Sequence, residues 1–194
     1  MSTNHTNGEQ GNLIVQLSSI ADDARKIFGA LSPAQLNWKP SANEWSVGQC
    51  FDHLIVTNRG FFPLLEQVGR GERRNSAWES WSPLTGFFGK MVARTIEKEG
   101  GRKFKAPKKL EPSSSDAPGD VITRFAEHQQ ELSELLKATA GRDLEKVVVT
   151  SPISGFVTYR LPDACRIIVA HERRHFAQAR RITEAEGFPR TAQV

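Results

Sequence analysis

The sequence predicts an all-α protein, a four-helix bundle with an additional short helix and long loops. Three observations carry this. Four stretches repeat apolar residues at alternating spacings of three and four, the period of a helix with one buried face. β-Branched residues concentrate in residues 147–159, where Pro152 and Gly155 interrupt them, too little for a substantial sheet. The last stretch carries His171 and His175 in the middle of its apolar seam, so two imidazoles are directed into the bundle.

In chain order, residues 1–10 read as a disordered polar tail containing His5, followed by a single domain over residues 11–190. Leu13, Leu17, Ile20, Ala24, Ile27 or Phe28, and Leu31 mark a first helix that stops at Ser32-Pro33. Residues 36–45 form a connector, because Pro40 disfavours helix at Lys39. Trp38 and Trp45 are large enough to plug the end of the core. Ser46 and Gln49 make a capping box that opens a second helix. Its stripe runs through Val47, Cys50, Phe51, Leu54, Phe61, Leu65 and Val68, with Pro63 placed to kink it. A shorter helix is expected over residues 83–99, then a proline- and serine-rich linker over 102–118. Pro118, with Ser115 or Asp116 near the cap, opens a third main helix. Val121, Phe125, His128, Leu132, Leu135 and Thr139 line it, and Gly141 ends it. Residues 147–159 are an extended loop or short hairpin. The fourth helix begins at Leu161 or Pro162, and its seam is Leu161, Ala164, Ile168, His171, His175, Gln178, Ile182 and Ala185.

Composition narrows the function classes. The chain has 194 residues, 38% hydrophobic and 25% charged, which is ordinary for a globular domain. No run approaches the roughly 18 apolar residues of a membrane span, and the polar start lacks a signal-peptide core. Cys50 and Cys165 both fall in expected helices and suggest no disulfide framework. A cytoplasmic location is expected, with no membrane partner. The net charge of +4 comes largely from residues 70–74 and 102–109, read as solvated loops. No basic helix face with interleaved aromatics is present, so no nucleic-acid partner is expected.

Side chains four apart on a helix lie about 5–6 Å apart at Cβ, close enough for His171 and His175 to reach one ion. His53, on the flank of the second helix, is the expected third ligand. Three imidazoles leave an open coordination position, the arrangement of catalytic metal sites. Imidazole suits zinc, nickel, iron or copper, and zinc or nickel is the divalent metal expected here. His128 is read as a fourth ligand, a residue supporting a ligand, or a packed histidine bonded to a loop, the last two being favoured. Gln178, one turn below His175, orients an imidazole, binds a metal-bound water or satisfies a loop backbone. Cys50 is a thiolate candidate read as core. Residues 171–175 match H-E-x-x-H, in which the glutamate serves metalloproteases as general base. Charged Arg173 and Arg174 in its middle, no following histidine and no strand for a peptide substrate argue against that chemistry. Glu172 is expected to pair with arginine or flank the site.

The segments LSPAQLNWKP at 31–40, EWSVGQCFDHL at 44–54 and AHERRHFAQA at 170–179 resemble the DinB-like (YfiT-type) superfamily. The resemblance covers most of the chain. It implies an up-up-down-down bundle, often a homodimer, with one metal-ligating histidine on the second helix and two on the fourth. Those positions are His53, His171 and His175. Related branches, the bacillithiol S-transferases and mycothiol-dependent isomerases, use a metal to activate a low-molecular-weight thiol. A metal-dependent enzyme that activates a small-molecule thiol is therefore the expected function. The alternatives are a hydrolase that activates water and a non-catalytic metal-binding or dimeric interaction protein.

Overall fold

The structure is a computed structural model that describes residues 2–82, 85, 116–151 and 155–190, with side chains from residue 8 onward. Four long helices carry it: α1 (Ser2–Phe28), α3 (Val47–Arg59), α6 (Val121–Ala138) and α7 (Leu161–Glu184). Shorter helices are α2 (Pro33–Asn37), α4 (Phe62–Arg70) and α5 (Ala77–Trp81). A 3-10 turn at Leu144–Lys146 precedes a two-stranded antiparallel hairpin, β1 (Val148–Thr150) and β2 (Thr158–Arg160), in which Val149 pairs with Tyr159. The all-α architecture matches the expectation, and the β-branched stretch is the short hairpin.

α1 and α3 each pack against both α6 and α7, which makes a closed ring of four. The helix directions follow from who meets whom. Near the N-terminus of α1, Glu9 binds Arg166 near the start of α7, and Gln10 reaches Leu136 and Thr139 at the end of α6. At the opposite end of the bundle Phe28, Phe51, Phe125 and Phe176 form one aromatic cluster, with ring centroids 4.9–6.4 Å apart. α1 and α7 therefore run one way, and α3 and α6 the other. The order is up-down-down-up, which corrects the up-up-down-down order implied by resemblance. The connection over residues 29–46 returns at the end where α1 finished, so α3 runs back antiparallel. α4 ends and α6 begins at opposite ends of the bundle.

Local chemistry explains the boundaries near the site. Ser46 accepts from the Gln49 N–H at 3.1 Å, and the Gln49 side chain accepts from the Ser46 N–H at 3.2 Å. This capping box starts α3 as expected and sets the rotation of His53 two turns later. Gly48 is required by close approach, since a Cβ there would lie 2.5 Å from that of Ala117. The expected long second helix is two helices. It breaks at Gly60-Phe61, and Pro63 sits in the first turn of α4, where its missing N–H costs nothing. α4 stops at Gly71, in the left-handed conformation at φ 74°.

Other boundaries also moved. α1 is helical from Ser2, where a disordered tail was expected, and its Glu9 and Gln10 side chains are docked on α7 and α6. α6 begins at Val121, three residues after Pro118, with no side-chain cap bond. The helix α5 had no counterpart in the sequence reading. It is fixed by a capping box of Ser76 and Glu79, and Glu79 also binds Arg73 at 2.7 Å and Thr150 of β1 at 3.1 Å. The helix expected over residues 83–99 and most of the linker over 102–118 lie outside the described residues. None of the described helices is long and apolar enough to cross a membrane.

Candidate metal centre

α3 and α7 cross with His53 facing His171 and His175. The His53 and His171 Nε2 atoms are 3.2 Å apart, and one ligand nitrogen from each of the three rings lies within 4.8 Å of the others. Two nitrogens on one tetrahedral zinc, each about 2.0–2.1 Å from it, are separated by about 3.3–3.4 Å. The His53–His171 pair already has that spacing. The widest gap, up to 4.8 Å, is about 1.4 Å more than a single ion needs, within the swing of an imidazole about its two side-chain torsions. The three rings stand edge to face, with centroids 4.6–5.1 Å apart. The set fits a metal ion by its chemistry: three imidazoles, no carboxylate or thiol among them, and lone pairs converging from two helices.

The electrostatics keep those lone pairs free. Burial pushes the His171 ring down to about 3, helped by His53 and the charge of Arg174. Burial pushes His175 down to about 2, with His171, His53 and Arg174 acting the same way and Gln178 opposing. Metal ligation needs neutral imidazole, so the rings are ready to bind at neutral pH. Gln178 Oε1 lies 3.0 Å from His175 Nδ1. An amide oxygen can only accept, so Nδ1 carries the proton and Nε2 keeps its lone pair. Of the readings made of Gln178, this contact gives it the role of orienting an imidazole.

Trp45 is the site residue that the sequence reading placed elsewhere. It does not merely plug the core. Its ring stacks on His175 at 5.3 Å and 15° and tilts against His53 at 4.9 Å. Its position immediately before the Ser46 cap was a signal, because that residue must lie beside the first turns of α3 and hence near His53. Trp38 does lie in an end contact, edge-on to Phe188 at 5.5 Å.

Glu172 neither pairs with arginine nor faces the metal ligands. It is fully buried, and its Oε1 accepts from Asn58 Nδ2 at 2.6 Å and Gln129 Nε2 at 2.7 Å. Asn58 is five residues beyond His53, about 7.5 Å along α3. Burial pushes the Glu172 carboxyl up to about 8, opposed by the two amide donors. At neutral pH it is a buried neutral acid that ties α3, α6 and α7 together, which removes the protease reading of H-E-x-x-H. Asn58 and Gln129 were not singled out from the sequence. Both are amides on apolar helix faces, Asn58 four residues after Leu54 and Gln129 four after Phe125, and that is the signal that would have found them.

His128 is not gathered into the cluster. It is buried against α4, stacked on Phe62 at 4.8 Å and 9°, and neither ring nitrogen has a partner among the described residues. It is a packed histidine, but without the loop bond expected of it. Burial, with some help from Arg59, pushes it down to about 4. Cys50 is buried in the core, where burial pushes its thiol far up, so it is no thiolate ligand.

Residues 16–179 match the sequence model of the DinB superfamily. The chain is 28% identical over 155 residues to the uncharacterized protein YuaE of Bacillus subtilis (strain 168), covering 79% of this chain and 86% of that one. No solved structure matches.

Two outcomes follow from the buried groups. His128 is neutral in the fold down to about pH 4 and charges near 6.5 when unfolded, so the unfolded state binds more protons between those values. His128 thus lowers stability as pH falls from about 6.5 to 4, by on the order of 3 kcal/mol. His128→Phe keeps the stack on Phe62 and should flatten that part of the acid limb relative to wild type in urea unfolding; parallel limbs would refute the assignment. Glu172→Gln keeps the acceptor for Asn58 and Gln129 and should retain fold and bound metal. Glu172→Ala orphans both amides and should cost about 2–4 kcal/mol. Loss of metal in Glu172→Gln with the fold intact would place Glu172 at the metal after all.

Proposed function

Since the chain belongs to the DinB superfamily, we propose that it is a metal-dependent enzyme in which His53, His171 and His175 hold a zinc or nickel ion and a small-molecule thiol is activated for transfer to an electrophile. The observation that carries the reading is the composition of the cluster: three imidazoles from two helices and, among the described residues, no fourth ligand. A divalent cation held by neutral ligands keeps its full charge, lowers the pKa of a thiol that reaches it and so supplies a thiolate nucleophile at neutral pH.

The protein's own residues complete the division of labour. Gln178 fixes the tautomer of His175. Trp45 covers one side of the His53 and His175 rings and shields them from water. Activating water for hydrolysis commonly draws on a carboxylate base next to the metal. Glu172, the carboxylate that the H-E-x-x-H pattern would supply, is turned into the core and bonded to Asn58 and Gln129. A thiol, with an ordinary pKa of about 8.5, loses its proton to solvent without such a base. The geometry thus favours thiol chemistry over hydrolysis. A structural role for the histidines would favour a closed shell, and neither Cys50 nor His128 joins the three. The two buried free thiols suit a reducing cytoplasm, and a homodimer belongs to the same reading.

His175→Ala should abolish stoichiometric metal while leaving the helical circular dichroism, as read by elemental analysis of the purified proteins. Equal metal in both would remove the site. Monochlorobimane conjugation, assayed across several cellular thiols, should be abolished by chelation and restored by zinc or nickel. Metal-dependent ester hydrolysis with no thiol transfer would establish the hydrolase instead.

A further inference from the structure

We propose that Arg174 selects the substrate: an anionic small molecule whose carboxylate rests on the guanidinium while its reactive end reaches the open side of the three-histidine centre. The inference rests on the reading of that centre as a substrate site and adds the substrate's charge.

Arg174 follows His171 by three residues on α7 and directly precedes His175. Positions three apart on a helix share a face at about 5–6 Å. The guanidinium charge bears on both His171 and His175. Three arginines among the described residues are half-buried: Arg73, Arg166 and Arg174. Arg73 is paired with Glu79 at 2.7 Å, and Arg166 with Asp163 at 2.6 Å and also with Glu9. Arg174 has no carboxylate or hydrogen-bond partner among the described residues.

A lone, half-buried cation is unexpected here. Imidazole ligands carry no charge of their own, so a bound divalent ion would add two positive charges beside a third, and like charges in a partly desolvated site repel. No carboxylate among the described residues joins the three ligands, and none is bonded to Arg174. An anion arriving with the substrate would. A guanidinium presents a planar fork of donors that matches a carboxylate with two parallel hydrogen bonds, and it cannot lose its charge. Two attachment points, one at Arg174 and one at the histidine centre, would also orient a small flexible molecule.

The test uses the zinc-loaded full chain and two probes that differ in one group, 3-mercaptopropionate and 3-mercapto-1-propanol, with affinities from calorimetry. Wild type should bind the acid at least tenfold more tightly than the alcohol. Arg174→Gln should keep its zinc and its affinity for the alcohol, lose about tenfold for the acid, and recover part of that in Arg174→Lys. An acid-to-alcohol ratio unchanged in Arg174→Gln would overturn the proposal and assign any preference to the metal's own charge. If neither thiol binds the zinc-loaded protein, the thiol reading fails separately. Arg174 is then decided by titrating acetate and inorganic phosphate into both proteins, followed by NMR of labelled arginine side chains. Anion-dependent shifts of the Arg174 guanidinium resonance in wild type, tighter for acetate, support it, and no such shift refutes it. Tighter binding of phosphate would move the substrate class from carboxylate to phosphate and overturn the proposal as stated.

Discussion

The crossing of α3 over α7 is the constraint on which everything else depends. It brings His53 to 3.2 Å from His171 and converts a pair of stacked histidines into a site with three donors. Two kinds of interaction hold it. Towards the N-terminus of α3, Phe51 packs with Phe28, Phe125 and Phe176, so three other helices meet it through aromatic rings. Towards the C-terminus of α3, Asn58 donates to Glu172, which Gln129 of α6 also engages. His53 and His175 lie between these two contacts, and His171 directly precedes Glu172. A slip of one residue at either contact would turn His53 by about 100° and disperse the site.

The electrostatic design is consistent around that crossing. Groups that would carry charge in the core are kept neutral: the imidazoles by burial and by Arg174, Glu172 by burial. Charge is then concentrated where a metal ion would sit and where Arg174 waits beside it. A carboxylate in the ligand set would cancel part of the charge of an ion bound there. Glu172, one residue from His171, illustrates how finely this is set by helical rotation. The same sequence neighbour that could have served as base is turned by about 100° into the bundle, where it acts as a clasp.

Much of this was legible in the sequence because it is local. Helical spacing, the Ser46–Gln49 capping box, Pro162 at the start of α7 and the i, i+4 relation of His171 to His175 depend on neighbours within one or two turns. His53 is the expected third ligand from its place on the flank of the second helix, and the family resemblance points to the same residue. The break at Gly60 and the helix α5 were missed for a different reason. The apolar stripe runs through Phe61 and Leu65 as if unbroken, and α5 is only five residues long, below the length at which periodicity reads.

What the sequence by itself determined is the class of the fold and the residue types offered to a metal, because periodicity and helix capping are properties of a single chain segment. What only the tertiary structure decided is who meets whom. The up-down-down-up order, Trp45 against His175, Glu172 between Asn58 and Gln129, His128 on Phe62 and the unpaired Arg174 all pair residues from different helices or count the partners around one. Such contacts are settled by how helices rotate and cross when they bury their stripes together, and no spacing along the chain encodes that rotation.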